Sequence, residues 1–215
     1  MTTLDREFWM RAVKSLVSAF EEDEVRLCGY DGAIGDGDHG TSMLRGFREA
    51  QKSLRKRPAA GPGEIVRRIG EAFLDTVGGV TGIVFGSLFE AAGQNAANLS
   101  GIDTGGLHRM FAAGMAASKR RGNVTEGSKS MMDALSPAVE ALNAAAEGNE
   151  TAPTALLMAA RAAAAGMEAT IPMEAKVGRA RYQSGKGKGH VDAGAASVCL
   201  FFQTLAETAA PPAAS

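Results

Sequence analysis

The sequence Asp31-Gly-Ala-Ile-Gly-Asp36-Gly-Asp38-His39-Gly40 separates the first two long helical segments of the chain and gathers three carboxylates. Carboxylates this close repel one another, and glycine gives the segment little rigidity. A divalent cation would relieve the repulsion. Mg²⁺ is the best candidate, because it binds carboxylate oxygens together with substrate phosphates. The alternative interpretation is a solvated acidic turn. The spacing does not match an EF-hand calcium loop.

Composition sets limits on the class of protein. The chain has 215 residues, 45% of them hydrophobic, and a formal net charge of −1. A single domain is therefore expected over residues 1–208, followed by a flexible Ala/Pro-rich tail at 209–215. The charge gives no basic field for nucleic acid. We expect a cytoplasmic protein without a membrane span, because the N-terminus is polar and no apolar run approaches about twenty residues. The two distant cysteines fit a reducing compartment.

Apolar periodicity and helix breakers predict eight helices. Aromatic residues make up only 6% of the chain, and few segments alternate as strands do. Short connections make successive helices antiparallel neighbours. The predicted fold is all-α, an eight-helix up-and-down arrangement that forms a closed barrel or a bundle. The helices are expected at about 5–22, from Thr41 or Ser42 to the break at Pro58, 62–77, 82–97 after a Thr81 cap, 104–120, 128–146 with a kink or break at Pro137, 152–169 and 192–208.

Two connections, 23–40 and 170–191, are unusually long, and loops of this length are often functional. We call residues 170–191 the closing loop. It carries five cationic side chains, including Arg179, and also His190. A guanidinium on such a loop suits a phosphate clamp, although a solvated basic loop is an equally ordinary interpretation. We expect the two long connections to form one site.

Two shorter motifs are weaker signals. Gly78-Gly79-Val80-Thr81-Gly82 at a helix junction fits an anion site at a helix N-terminus, but also an ordinary turn. In the motif Gly127-Ser-Lys129-Ser-Met131-Met-Asp133, Lys129 either touches phosphate or is solvated, and Met131 packs on a flat ring or joins the core. Carboxylates for a metal, glycine turns for phosphates and an arginine on a loop together indicate phosphoryl transfer.

These motifs occur in an order and at a spacing that resemble the nucleotide-binding L subunit of dihydroxyacetone kinase, over nearly the whole chain. The resemblance rests on the motifs quoted above and on three further groups. These are Arg45-Gly46-Phe47 with Phe85-Gly86, Ala134-Leu135 with Pro137-Ala-Val-Glu-Ala-Leu142, and Lys176-x-Gly178-Arg179-Ala180-x-Tyr182 with Gly189-His190-x-Asp192-x-Gly194-Ala195.

The resemblance implies an eight-helix barrel with a nucleotide at one end. It implies that Asp31, Asp36 and Asp38 hold two Mg²⁺ ions and, with Arg179, act in phosphoryl transfer. The implied residues around ADP or ATP are His39, Gly40, Thr41, Ser42, Val80, Thr81, Gly122, Met131, Arg179, Asp192, Ala193 and Gly194. A separate K-type subunit would carry the small ketose on a histidine. A phosphotransferase-system M protein and a second copy of the chain are further implied partners.

Some positions depart from the family pattern. Ser42, Thr81, Ile83, Ser128 and Ala193 replace the usual asparagine, serine, proline, aspartate and proline. Loss of the last proline raises the ordering cost of its turn by about 0.4–1 kcal/mol, at most about fivefold in affinity, which favours exchange of a diffusible ATP. Two other functions stay open: a kinase domain for an acyl carboxylate, and a non-catalytic nucleotide sensor that binds a transcription regulator.

Overall fold

A computed structural model describes residues 3–210. This part of the chain contains nine α-helices and one antiparallel pair of two-residue strands, β1 (Leu4–Asp5) and β2 (Gly101–Ile102). The helices are α1 (Arg6–Glu22), α2 (Glu24–Gly32), α3 (His39–Lys56), α4 (Pro62–Thr76), α5 (Gly79–Asn95), α6 (Thr104–Gly122), α7 (Met132–Glu147), α8 (Ala152–Ala169) and α9 (Ala193–Ala209).

The eight long helices close into a ring. From α3 onward each helix packs on the next one in the chain, α1 packs on α3, and α9 returns to α1. The fold is therefore an antiparallel barrel, as the helix count and short connections predicted. The remaining helix, α2, is short and packs on α3 and α9. The interior is filled by a chain of contacting phenylalanine rings that runs from Phe20 through Phe47, Phe73 and Phe89 to Phe201.

Antiparallel order sorts the connections between the two ends of the barrel. Helices α3, α5, α7 and α9 all begin at one end, which we call the upper end. Its connections are residues 23–38, 77–78, 123–131 and 170–192. The lower end holds the β1–β2 pair and the connection at 57–61. Arg6 on α1 donates to the Ala59 carbonyl there (2.8 Å). Both long connections predicted to form a site thus lie at the upper end.

Helices α4 and α5 approach each other through glycines. A Cβ on Gly70 would lie 2.3 Å from the Glu90 nitrogen, and one on Gly93 would lie 2.2 Å from the Arg67 nitrogen. The two backbones are therefore in direct contact, which a side chain at either position would prevent.

The helix boundaries differ from prediction at the upper end. Part of the predicted loop 23–40 is helical, as α2. Helix α3 begins at His39 rather than after Gly40, because the Ser42 N–H already donates to the Asp38 carbonyl (2.9 Å). Helix α5 begins at Gly79, so Thr81 lies inside its first turn and is not the cap.

Helix α7 begins at Met132, four residues later than predicted. Lys129 has a φ of 56°, which no α-helix accommodates. Pro137 lies inside α7 without ending it. The predicted tail begins within α9, which continues to Ala209, and residues 211–215 lie outside the described residues. None of the described helices combines the length and apolar character needed to cross a membrane.

The contact between α4 and α5 gives a stability prediction. Gly70→Ala should lower the free energy of unfolding by about 1–3 kcal/mol through overpacking, although alanine favours helix by up to about 1 kcal/mol. Gly29→Ala in α2 is the matched control, because no atom lies within 4 Å of its Cβ position. Urea unfolding should show the control unchanged or more stable. Equal effects of the two substitutions would contradict the backbone contact.

Candidate metal and phosphate site

Three carboxylates meet where α2 gives way to α3. Asp31 lies in the last turn of α2, Asp36 in the connecting loop, and Asp38 at the N-cap of α3. Each offers an oxygen within 4.8 Å of the others. The Asp31 carboxylate accepts hydrogen bonds from the N–H groups of Gly37 (2.8 Å) and Asp38 (3.1 Å), which folds the loop back over α2.

This arrangement fits Mg²⁺. The ion takes oxygen ligands at 2.0–2.1 Å in an octahedron, which places ligand oxygens about 3–4 Å apart. Asp36 and Asp38 are exposed and Asp31 is half-buried, so small rotations of the side chains would bring their oxygens to that spacing. The exposed side of the cluster leaves room for water and phosphate oxygens, which Mg²⁺ usually retains as ligands. The carboxylates predicted from sequence as metal ligands are thus brought together.

The closing loop reaches the same cluster. The Arg179 guanidinium forms an ion pair with the Asp36 carboxylate, with the two side chains 66% and 43% exposed. Two short 3₁₀ turns, Ala180–Tyr182 and Ser184–Gly187, follow Arg179 in this loop. Residues 23–40 and 170–191, which the sequence predicted to form one site, thus contact each other through this ion pair.

Helix N-termini add positive potential to the upper end. The N–H groups in the first turn of a helix have no partner within the helix, and the helix dipole favours anions there. Helices α3, α5, α7 and α9 all begin at this end. Phosphate groups above the carboxylates would therefore meet partial positive charge from several directions.

Not every predicted nucleotide residue faces outward. His39 is buried against α9, and one ring nitrogen lies 2.8 Å from the Ser197 hydroxyl oxygen. Burial lowers the pKa of His39 to about 4, so the ring is neutral near pH 7 and offers no positive charge to a phosphate. In this structure His39 connects α3 to α9.

The next three predicted residues lie where α3 packs against α2. A Cβ on Gly40 would lie 2.2 Å from the Glu24 carbonyl oxygen, so glycine is required for this packing. The Thr41 hydroxyl donates to the Glu24 carboxylate (2.7 Å). Ser42 is buried in the first turn of α3. These contacts hold residues 31–38, which we call the acidic loop, in place from their C-terminal side.

The N-termini of α7 and α9 touch each other. A Cβ on Gly194 would lie 3.3 Å from the Met131 Cβ, and Met131 itself is buried. Asp192 caps α9 by accepting from the Ala195 N–H (2.8 Å), and its own N–H donates to the Thr170 hydroxyl (3.0 Å). Ala193 is buried in the same turn. Met131 and the Asp192–Gly194 turn therefore lie side by side at the upper end.

The remaining predicted residues lie at the upper end by their position in the barrel. Val80, which is 51% exposed, and Thr81 belong to the first turn of α5. Gly122 ends α6, and a Cβ there would lie 2.2 Å from the Val84 side chain. Glycine at 122 thus allows α6 to pack closely on α5.

Lys129 is not solvated, which was one of its two predicted states. Its side chain is 2% exposed, and its ammonium donates to the backbone carbonyls of Thr170 (2.6 Å) and His190. It is therefore not solvated, and its donors are directed to the protein itself. Sequence alone gave no signal for this arrangement, because lysine is rarely buried.

The sequence pattern of the DAK2 domain family matches residues 33–207 of the chain. The chain belongs to the DAK2 domain family. The ADP-binding subunit DhaL of the PEP-dependent dihydroxyacetone kinase of Escherichia coli (strain K12) is 36% identical over 187 residues, which is 87% of this chain and 89% of that protein. A corresponding DhaL subunit of Listeria innocua is 32% identical and covers 95% of both chains.

Larger kinases contain a region similar to this DAK2 domain. The D-erythrulose kinase of Mycolicibacterium smegmatis is 30% identical over 92% of this chain, which spans only 34% of that kinase. The crystal structure of the C. freundii dihydroxyacetone kinase in complex with AMP-PNP and Mg²⁺ superposes with a TM-score of 0.73 at 26% identity, over 96% of this chain and 35% of that one. These comparisons confirm the resemblance seen in the sequence.

Asp192, which caps α9, makes the stability of this DAK2 domain depend on pH. Burial raises the pKa of Asp192 to about 7, and the Asp133 and Asp31 carboxylates add to the rise, while the Ala195 N–H and the Lys129 ammonium oppose it. The folded state therefore binds a proton more tightly than the unfolded chain between about pH 4 and pH 7. The free energy of unfolding that Asp192 contributes is fully present below about pH 4 and is lost as the pH rises through 7.

Asp192→Asn tests this, because asparagine caps a helix equally well but does not ionise. The free energy of unfolding of wild type, relative to Asp192→Asn, should fall by up to about 4 kcal/mol between pH 4 and pH 7.5. Urea unfolding in EDTA across that range measures the difference. Parallel pH profiles for the two proteins would show that Asp192 ionises normally.

Proposed function

We propose that this chain is the ADP/ATP-binding, phosphoryl-transfer subunit of a dihydroxyacetone-type kinase, acting on a small ketose held by a separate K-type subunit. The observation that carries the proposal is the meeting of Asp31, Asp36 and Asp38 with Arg179 at the end of the barrel where four helices begin. The names of the DhaL relatives, which the chain matches over nearly their whole length, support the same function.

The residues have distinct roles in this proposal. Asp31, Asp36 and Asp38 would hold one or two Mg²⁺ ions, which when bound neutralise charge on the phosphates. Arg179 would contact the transferred group, since a guanidinium matches phosphate oxygens. The N-termini of α5, α7 and α9, with Val80, Thr81, Gly122, Met131 and the Asp192–Gly194 turn, would surround the nucleotide. His39 would support the site from inside the barrel.

Removal of one carboxylate tests the metal site. Asp36→Asn should raise the Kd for Mg-ADP at least about tenfold, because it removes one negative ligand while leaving the helices intact. Isothermal calorimetry measures the affinity, with Glu140→Gln on the exposed face of α7 as control. Tight Mg-ADP binding by Asp36→Asn would contradict the assignment of the ligands.

The division of labour between subunits gives the next prediction. The purified chain alone should not phosphorylate dihydroxyacetone or erythrulose, because the proposed function places the ketose on a separate K-type subunit. Addition of a K-type subunit with its phosphate donor should give turnover. Ketose phosphorylation by this chain alone would contradict the two-subunit proposal. If the chain binds Mg-ADP but no K-type subunit gives ketose phosphorylation, the nucleotide sensor would be favoured instead.

We favour ADP as a retained coenzyme over ATP as a diffusible donor. The sequence pointed weakly toward ATP because Ala193 lacks the usual proline. In the structure, however, the Asp192 cap and the hydrogen bond from its N–H to Thr170 fix this turn without proline. Several relatives are also named as ADP-binding subunits of PEP-dependent kinases.

Retention of ADP can be measured directly. Freshly purified protein should contain close to one ADP per chain after extensive dialysis in Mg²⁺, and an M protein charged from PEP should rephosphorylate it. Chromatography of the denatured protein quantifies the nucleotide. Loss of all nucleotide on dialysis, with turnover supported by added ATP, would restore the ATP alternative.

A further inference from the structure

One buried ammonium joins the two ends of the closing loop. The carbonyls that accept from Lys129 belong to Thr170 and His190, which are twenty residues apart in sequence and flank the segment that carries Arg179. Both ends of the loop are therefore tied to one side chain of the 123–131 connection. Neighbouring backbone contacts support the same arrangement, since the Gly189 N–H donates to the Ile171 carbonyl (2.7 Å).

The aliphatic part of Lys129 also contacts this loop. Gly187 is buried with a φ of 73°, and a Cβ there would lie 3.2 Å from Lys129 Cε and 3.3 Å from Ile34 Cγ2. Ile34 is 5% exposed and belongs to the acidic loop between Asp31 and Asp36. The closing loop, Lys129 and the acidic loop thus meet at a single point.

Two carboxylates near the Lys129 ammonium help to keep it in one position. Burial lowers the pKa of Lys129, and the nearby Asp192 and Asp133 carboxylates oppose that shift. Asp133 also accepts from the N–H groups of Gly127 (2.5 Å) and Ser130 (2.8 Å), on either side of Lys129. These bonds hold the backbone on both sides of Lys129, whose own φ is 56°.

A buried ion is weak evidence for stability, because the cost of removing it from water often exceeds the gain from its partners. We propose that Lys129 is a positioning residue: its ammonium fixes both ends of the closing loop so that Arg179 faces Asp36. The loop arrangement itself stands on the contacts above, and its consequence for nucleotide binding rests on the proposed function.

Hydrogen exchange without any ligand tests the loop arrangement. Lys129→Met keeps the length of the side chain and removes its donors. The amides of Ala175 and Gly189, which are bonded within the loop, should exchange at least about tenfold faster, with the α4 and α5 amides unchanged. Lys188→Met, an exposed lysine of the same loop, is the control and should leave exchange unchanged. Unchanged loop exchange in Lys129→Met, or equal acceleration in every helix, would overturn the proposal.

A second pair of variants examines the same contact from the loop, should Lys129→Met fail to fold. Gly187→Ala presses a methyl group against Lys129 and Ile34, whereas Gly185→Ala imposes the same positive φ (72°) with no atom within 4 Å of its Cβ. The amides of Ala175 and Gly189 should exchange faster in Gly187→Ala than in Gly185→Ala, because the Gly185→Ala variant shows the effect of backbone strain alone. Equal acceleration by both variants would contradict the contact.

A double-mutant cycle separates positioning from general destabilisation. The Kd for Mg-ADP is measured for wild type, Lys129→Met, Arg179→Met and the double variant. If Lys129 acts through Arg179, each single variant weakens binding and the double variant is no weaker than Arg179→Met. Additive losses, or wild-type affinity in Lys129→Met, would overturn the positioning role. If wild type itself does not bind Mg-ADP, the proposed function fails, and the exchange measurements still decide the loop arrangement.

Discussion

Closure of the barrel by close backbone contact is the constraint on which the site depends. Gly70 and Gly93 let α4 and α5 touch, and Gly166 allows α8 to lie against the Asp133 carbonyl of α7 in the same way. Because the helices alternate in direction around the ring, every second one begins at the upper end. Residues far apart in sequence are thereby gathered on one rim, toward which the first-turn N–H groups of four helices are directed. The position of each loop follows from this alternation.

The charged groups of the rim form two layers that differ in burial. The exposed layer is acidic, with the three aspartates of the α2–α3 connection facing solvent or half-buried. Beneath it lies a buried layer that contains the Lys129 ammonium and the Asp133 and Asp192 carboxylates. A cation suits the outer layer, where water can complete its coordination. The inner layer is satisfied by backbone groups, so it sets geometry rather than binding capacity.

Sequence reasoning predicted the helices well because most of them are long, amphipathic and ended by Pro or Gly. It failed where local chemistry overrode periodicity. The segment that forms α2 contains Gly29 and Gly32, which lower helix propensity, yet it is held by packing on α3 and α9. Lys129 could not be predicted either, since a left-handed lysine with a buried ammonium leaves no pattern in composition or spacing. The predicted roles of the nucleotide-lining residues stay predictions, and His39 illustrates why, because burial and a bond to Ser197 direct it inward.

The two contacts of the closing loop differ in strength. The Arg179–Asp36 ion pair is largely exposed, and exposed pairs contribute at most about 1 kcal/mol. Such a pair exchanges readily when a metal ion or a phosphate competes for either partner. The hydrogen bonds of Lys129 are buried and involve a charge, so their loss would be costly. A loop held firmly at its base and weakly at its tip keeps Arg179 within reach of the three aspartates, while leaving the Arg179 and Asp36 side chains free to change partners.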